Sequence, residues 1–191
     1  MFRKMHKGDK DARRYVNHII DCMRTFSHHY DEFGSLNDDM AIDHLDYDLI
    51  NGQSLLTVGY EGNRECLFRD LPQGYKRLYS IVFDLANRCY LLNRDIKTSQ
   101  GVVIIDEVEL HLHPGLAQEV LPRLRKTFPN MQFIVTTHSP SVVLNFPQND
   151  KNFIYKLDYN QAEDKYEPTK LPFAYGLDYT TGLEDVMGVS F

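Results

Sequence analysis

The stretch that decides the fold reads GVVIIDEVELHLHP over residues 101–114, where four β-branched aliphatic residues run directly into the acidic pair Asp106-Glu107. A short and wholly apolar run predicts a strand covered on both faces, and such strands are typical of parallel sheets. Parallel strands need a crossover connection, usually a helix. The stretch therefore predicts an α/β protein whose sheet is mainly parallel and flanked by helices.

The segments that follow this strand support that prediction. Residues 115–127 have a helical pattern that Pro122 is expected to kink or interrupt, and MQFIVTTHSP over 131–140 predicts a second buried strand. NFIYKL over 152–157 predicts a third strand, residues 158–170 a polar turn, and residues 181–188 a short terminal helix. The alternation of strand and helix predicts a doubly wound sheet.

The segments before this strand predict a helix, a connector, a hairpin and a second helix. Apolar residues recur at three- and four-residue steps within residues 1–30, and Asp9 or Asp11 stands near the start of that helix. Seven acidic residues with no Lys or Arg favour a solvated connector over residues 31–48, because their spacing does not match a calcium-binding EF-hand loop. The runs at 54–60 and 65–69 predict a hairpin, and 75–93 is the clearest helical pattern.

The 191 residues predict one domain, with a helical and acidic lead-in over 1–50 and a core over 51–191. A net charge of −6 does not indicate a strongly basic nucleic-acid binder, and 42% hydrophobic residues exclude a disordered chain. Three cysteines with no CxxC spacing predict reduced thiols. Because the charged N-terminus lacks a signal sequence and no apolar run could span a bilayer, we expect a cytoplasmic protein with no membrane contact.

Three segments with polar residues lie where strands end or helices begin, which is where ligands bind in open α/β sheets. Asp106 and Glu107 at the end of a strand suit Mg²⁺, although such a pair can also cap the following turn. His138 follows the next strand, where it can contact a phosphoryl oxygen or remain a structural histidine. Gly74, Lys76 and Arg77 begin the helix at 75–93, and free N–H groups at a helix start attract anions.

The order of these segments resembles the ATP-binding-cassette (ABC) ATPases, in the SMC-like and OLD-like branch of the P-loop ATPases. IIDEVELHLHP resembles that branch's Walker B strand and D-loop, LPQGYKR its signature motif LSxGxxR, and FIVTTHSP its switch-histidine strand. The closing YGLDYTTGLEDVMGV resembles the tail of small ATPases of this branch. The resemblance covers roughly residues 50–191 and implies a function in DNA repair or phage defence.

The resemblance implies a role for each site residue, with ATP and Mg²⁺ as ligands. Asp106 would hold Mg²⁺ through water, Glu107 would polarise the attacking water, and His138 would contact the γ-phosphate. A group of signature residues would close over ATP bound to the opposite subunit of an ATP-dependent dimer, and a group of D-loop residues would cross the dimer interface. The signature group is Gly74, Lys76 and Arg77, and the D-loop group is His111 and His113.

The sequence departs from this family in three ways. No GxxxxGK[ST] Walker A motif occurs among its residues, Pro72 stands where the signature usually has Ser, and no Toprim nuclease extension is present. We therefore expect the carboxyl half of an ABC-type ATPase, inactive alone and without nuclease activity. Because Walker A supplies the phosphate-binding loop, hydrolysis would need a segment that carries it.

Two other functions remain open from the sequence. The chain could be a stand-alone interaction or scaffold subunit that supplies signature and Walker B to a partner chain bearing Walker A. It could also be a metal-dependent hydrolase that uses His111-x-His113, with His138 as a third zinc ligand. The basic residues up to Arg24 are weak support for DNA as a partner, and neutralising Arg13 and Arg14 would test that contact.

Overall fold

The computed structural model describes residues 9–28, 41–50, 53–60, 64–95 and 98–188. These residues form two compact units. The first contains the chain up to Ile104 together with Arg123–Ile134, and the second contains Ile105–Pro122 together with the chain from Val135 onward. The expectation of one domain, with a lead-in over 1–50 and a core over 51–191, stays a prediction.

Helix α1 (Lys10–Ser27) confirms the predicted N-terminal helix. The Asp9 carboxylate caps its first turn by accepting the N–H groups of Asp11 and Ala12 at 3.0 and 3.1 Å. The apolar stripe expected from the sequence is the buried face: Ala12, Tyr15, Val16, Ile19, Cys22, Met23 and Phe26. Arg13 and Arg14 lie on the exposed face.

Helix α2 (Gln73–Asn93) confirms the predicted helix at 75–93, begins two residues earlier, and follows a short 3-10 helix (Phe68–Asp70). The Phe26 ring of α1 meets the Tyr79 ring of α2 edge-on at 6.3 Å between centroids. The Tyr15 hydroxyl donates to the Asn87 side-chain oxygen at 2.9 Å. Apolar and polar contacts thus fix the two helices together.

Within the described ranges, no helix has both the length and the apolarity to cross a membrane.

An antiparallel sheet in the order β1-β2-β3 belongs to the first unit. Strands β2 (Gln53–Tyr60) and β3 (Arg64–Leu67) confirm the predicted hairpin. Strand β1 (Ile42–Ile50) corrects the prediction of a connector up to residue 48, of which residues 31–40 lie outside the described part. A register shift between Ile42 and His44 allows both Ile42 and Leu45 to be buried. After this bulge the sequence does alternate, since acidic residues separate Leu45, Tyr47 and Leu49, but acidic residues are uncommon in strands and outweighed that pattern in the prediction.

Strands β4 (Gly101–Ile105) and β5 (Met131–Val135) form a pair and are joined in the chain by helix α3 (Pro114–Thr127), the expected parallel crossover. Helix α3 continues through Pro122 without interruption.

The prediction that the strand at 101–107 is covered on both faces is wrong within this chain. Val102 and Ile104 are 59% and 76% exposed, and Ile134 of β5 is 49% exposed. Among the described residues, little packs against the side of β4 that carries Val102 and Ile104.

The C-terminal part contains helix α4 (Pro140–Leu144) and an antiparallel hairpin of β6 (Tyr155–Asn160) and β7 (Lys165–Lys170). Strand β6 confirms the predicted third strand from Tyr155 onward, and the hairpin it forms with β7 corrects the predicted turn over 158–170. The reason is local, because the Asn160 side chain accepts the Ala162 N–H at 3.0 Å and closes a turn that returns the chain. Helix α5 (Tyr179–Thr181) continues into a π-helical turn (Gly182–Val186), close to the predicted terminal helix.

All three cysteines are free thiols, and two of them are buried. Burial raises the pKa of Cys22 to about 12, with smaller contributions from Cys89 and Asp21, and burial also raises the pKa of Cys89. At pH 8 the Cys22 thiol is therefore protonated, and burial favours the protonated form of Cys89 in the same way. The thiolate, which is the nucleophile, is thus disfavoured at both residues.

We expect Cys22 and Cys89 to resist alkylation in the folded chain. With iodoacetamide at pH 8, peptide mass spectrometry should find both thiols unmodified after a time that labels them fully in 6 M guanidinium chloride. Labelling of Cys22 at similar rates in the folded and denatured chain would contradict the burial of the α1 face.

Candidate functional site

The site begins where β4 and β5 end. The Thr136 N–H donates to the Ile105 carbonyl at 3.0 Å, and the Val108 N–H donates to the Thr136 carbonyl at 3.0 Å. Backbone pairing thus continues past the strands into the two segments that carry Asp106, Glu107 and His138. The sequence analysis predicts that the segments after the two strands lie at the same edge of the sheet, and in the structure they pair at the ends of β4 and β5.

A single hydroxyl holds the acidic pair. Thr136 Oγ1 donates a 2.5 Å hydrogen bond to Asp106 Oδ1 and accepts the Glu107 N–H at 2.8 Å. A hydrogen bond to a carboxylate is stronger than one between neutral groups. Thr136 therefore fixes the orientation of the Asp106 side chain and the position of the Glu107 backbone together. Asp106 is exposed and Glu107 is half-buried, so both carboxylates can be reached from solvent.

The backbone at Glu107 is in a conformation that glycine usually adopts, with φ of 47°, and His111 has φ of 65°. A non-glycine residue in this region costs about 1 to 3 kcal/mol and persists only where its surroundings hold it. Val108, completely buried, anchors the chain between them, and the Leu110 N–H closes a turn onto the Glu107 carbonyl at 3.0 Å. Backbone of this kind is concentrated at functional sites.

A second side chain, Glu109, connects the same two segments, this time from the segment that follows β4 to the segment that follows β5. Glu109 Oε1 accepts the His138 N–H at 2.7 Å, whereas Glu109 Oε2 is enclosed with no hydrogen-bond partner in the described part of the chain. The His138 ring is exposed at the start of the loop that leads into α4. The Ser139 N–H in that loop donates to Thr137 Oγ1 at 3.0 Å.

His113 caps the start of α3. Its carbonyl accepts the N–H groups of Leu116 and Ala117, and its Nδ1 accepts the Gly115 N–H at 3.3 Å. This local contact accounts for His113 structurally, and its predicted position in a dimer interface stays a prediction. Within the described residues, no three His, Cys, Asp or Glu side chains are grouped so that they could hold a metal ion. The zinc hydrolase built on His111-x-His113 therefore has no support from the structure.

The predicted signature residues lie in the first turn of α2, in the first compact unit. Gly74 is buried, whereas Lys76 and Arg77 are half-buried. Lys76 Nζ donates to the Arg69 carbonyl at 2.9 Å, and the Lys76 N–H donates to the Pro72 carbonyl at 3.0 Å. Their contact with a nucleotide stays a prediction.

Sequence reasoning did not single out Thr136 or Glu109. They appear above only within the motifs FIVTTHSP and IIDEVELHLHP. The available signal was position, because Thr136 is the first polar residue after β5, just as Asp106 is after β4. Two side chains at equivalent places on paired strands are neighbours.

The Thr136 contact predicts how substitutions in and beside the acidic pair affect stability. Asp106→Asn should change the free energy of unfolding by less than about 1 kcal/mol, because the amide oxygen can still accept the hydroxyl. Thr136→Val should cost about 1 to 2 kcal/mol, because both hydrogen bonds are lost. Urea denaturation of the chain measures both, with Thr136→Ser as the control that keeps the hydroxyl. A Thr136→Val variant as stable as wild type would contradict the geometry.

Two curated relatives are similar to parts of this chain. A Vibrio cholerae protein named retron Vc95 probable ATPase is 39% identical over 121 residues, which are 62% of this chain and 23% of the relative. The Septu protein PtuA of Bacillus mycoides is 29% identical over 136 residues, which are 70% of this chain and 19% of that protein. The chain thus spans about a fifth to a quarter of the length of these relatives.

A solved structure from work on the ATP-driven dimerisation and DNA-stimulated activation of SMC ATPases has the same fold. The TM-score is 0.56 at 14% identity, and the match covers 94% of each chain. It confirms the predicted fold class, a partial P-loop NTPase domain of the ABC type.

The model of one protein family, described as "AAA domain, putative AbiEii toxin, Type IV TA system", matches residues 8–145. That range is more than half of the chain, and it contains the signature, the end of β4 and the end of β5. The family match agrees with the ATPase relatives and with the SMC fold. The chain therefore belongs to this AAA domain family and has the P-loop NTPase fold of the SMC ATPase structure.

Proposed function

We propose that this chain supplies the carboxylates and the histidine with which an SMC-like ATPase hydrolyses ATP. The observation that carries the proposal is the Thr136 hydroxyl, which holds Asp106 and Glu107 together where β4 ends. Glu109, two residues after Glu107, accepts the His138 N–H at 2.7 Å. Two adjacent carboxylates and a histidine at the end of paired strands suit phosphoryl transfer, in which catalysis is mainly positioning and charge stabilisation.

The residues present fit Mg²⁺ as the metal of this reaction. Carboxylate oxygens are hard ligands, and Mg²⁺ is usually held by one or two of them while it keeps water and phosphate oxygens. Asp106 is exposed at the strand end and would hold the ion through water. When bound, Mg²⁺ would supply neutralisation of phosphate charge.

The chain's own residues then have separate roles. The half-buried Glu107 carboxylate accepts a proton from the attacking water, and its backbone is held by Thr136 while it does so. The exposed His138 ring donates a hydrogen bond to a γ-phosphate oxygen. Gly74, Lys76 and Arg77 are proposed to close over ATP from a second subunit, with Pro72 unable to give the hydroxyl that Ser gives in the signature motif.

Hydrolysis needs a Walker A loop for the α- and β-phosphates, which we propose a further segment supplies, in the same protein or in a partner chain. The exposed apolar side chains of Val102 and Ile104 support the packing of additional structure against β4. We call the chain together with the Walker A segment the complete ATPase. Its ATP-bound form would be a dimer.

Phosphate release tests this function. The chain alone should release no phosphate from ATP above background, and the complete ATPase should release it only with Mg²⁺ present. Asp106→Ala should remove the activity, whereas Asp185→Ala, which removes an exposed carboxylate near the C-terminus, should keep it. Hydrolysis that is insensitive to EDTA and to Asp106→Ala would exclude this site. ATP-dependent co-elution with a separate Walker A chain would favour the interaction subunit over a single longer protein.

The cellular setting is proposed from the relatives' names, retron and Septu, together with the earlier resemblance. It is a cytoplasmic ATPase in phage defence or DNA repair, related to the OLD-like branch. DNA is the proposed partner, and the exposed Arg13 and Arg14 of α1 are available for phosphate contacts. DNA binding that weakens with salt and is lost in the Arg13→Ala/Arg14→Ala variant would support it.

A further inference from the structure

Glu109 connects the two halves of the site in a way that the roles above do not use. Its Oε1 accepts the His138 N–H at 2.7 Å, and the Leu112 N–H donates to its carbonyl at 2.8 Å. The side chain is thus bonded to the β5 side of the site while the backbone is part of the turn that follows Glu107. Glu109 thus links the segment of the proposed base to the segment of the proposed γ-phosphate contact.

We propose that Glu109 is a positioning residue that sets the place of His138 during ATP hydrolysis, an inference that rests on the proposed function. The bond from an amide to a carboxylate is charge-assisted, so it restrains the backbone of His138 more strongly than a neutral acceptor or water would. The His138 ring is exposed, so its position depends mainly on its backbone.

The enclosed second oxygen of Glu109 supports a positioning role over a purely stabilising one. Glu109 Oε2 is buried and has no hydrogen-bond partner among the residues described. A buried acceptor without a partner reduces stability, and a charged one costs more. A side chain that served stability alone would gain from losing this oxygen, whereas one that must restrain an N–H group through a carboxylate would keep it.

The first test is independent of ATP and uses the chain itself. Amide hydrogen exchange of His138, followed by NMR, should be about tenfold faster in Glu109→Met, which fills similar volume without a strong acceptor. In Glu109→Gln, which keeps a neutral acceptor oxygen, the rate should lie between those of wild type and Glu109→Met. The Thr136 amide, bonded to the Ile105 carbonyl, is the internal control. Unchanged exchange at His138 in Glu109→Met would overturn the proposal.

The second test asks whether Glu109 acts through His138, in the complete ATPase. Glu109→Met should lower kcat about tenfold with KM for ATP within about twofold, and Glu109→Gln, with its neutral acceptor, should restore kcat only in part. In a His138→Ala background the same Met substitution should have almost no further effect. A full tenfold loss in that background would overturn the proposal, since the two residues would then act separately.

The two proposals fail in different ways. If Asp106→Ala and Glu107→Gln leave hydrolysis unchanged, the proposed function is wrong and the role of Glu109 in it falls as well, whatever the exchange rates. If those variants are inactive but Glu109→Met is fully active, only the role of Glu109 is wrong. Should Glu109→Met fail to fold, Glu109→Ala replaces it, with thermal unfolding measured for each variant.

Discussion

Replacing Glu107 with Gln should lower kcat for ATP at least about 100-fold in the complete ATPase, because general-base catalysis contributes about 10² to 10⁴ in rate. The amide cannot accept the proton of the attacking water. The hydrogen bond from the Glu107 N–H to Thr136 Oγ1 involves only the backbone, so the local structure should be retained. Single-turnover phosphate release measures kcat, and equilibrium dialysis with labelled ATP measures binding.

The loss should fall on kcat and not on ATP binding. Binding within about threefold of wild type, together with a lost rate, indicates an interaction made in the transition state. The matched control is Glu184→Gln, which changes an exposed carboxylate near the C-terminus and should keep full activity. A Glu107→Gln enzyme within tenfold of wild type would show that another group is the base.

Replacing Phe26 with Ala should lower the free energy of unfolding by about 3 to 5 kcal/mol, as expected for an aromatic side chain removed from a packed core. Phe26 and Tyr79 are each 1% exposed, and their rings meet edge-on. The variant loses both the buried area of one ring and this aromatic pair. Because domains have about 5 to 15 kcal/mol in total, the variant should be partly unfolded at 37 °C.

Urea denaturation followed by circular dichroism at 222 nm measures this loss. Phe26→Leu is the control, since it keeps most of the apolar volume and should cost clearly less than Ala. An exposed aromatic, Tyr175, gives a second reference, because Tyr175→Ala should change stability by less than about 1 kcal/mol. If Phe26→Ala costs less than 1 kcal/mol, the packing of α1 on α2 is not as the structure has it.

Elements with regular periodicity could be predicted from the sequence. Helices α1 and α2 present apolar stripes at three- and four-residue steps, and burial follows those stripes. The end of β4 was clear as well, since an apolar strand followed by Asp106 marks a change from sheet to site. Each of these signals depends only on residues that are close together in the sequence, so each element can be predicted from its own segment.

Elements whose pattern depends on a partner could not be predicted. Strand β1 is rich in acidic residues, which are uncommon in strands, and β6–β7 closes through a turn at Asn160 in a polar segment. The exposure of Val102 and Ile104 was unexpected for a related reason. An apolar run indicates that a strand is to be covered, but not which segment covers it.

The sequence by itself determined the ATPase family resemblance, the helices α1 to α3, the strand β4 and the residues Asp106, Glu107 and His138. Only the tertiary structure decided how those residues are held. The Thr136 hydroxyl contacts a carboxylate 30 residues earlier, and Glu109 contacts an amide 29 residues later. Such contacts arise from strand pairing that brings distant segments together, whereas composition and periodicity report on neighbours along the chain. Local motifs therefore indicate which residues carry the chemistry, whereas the pairing of β4 with β5 determines where those residues lie.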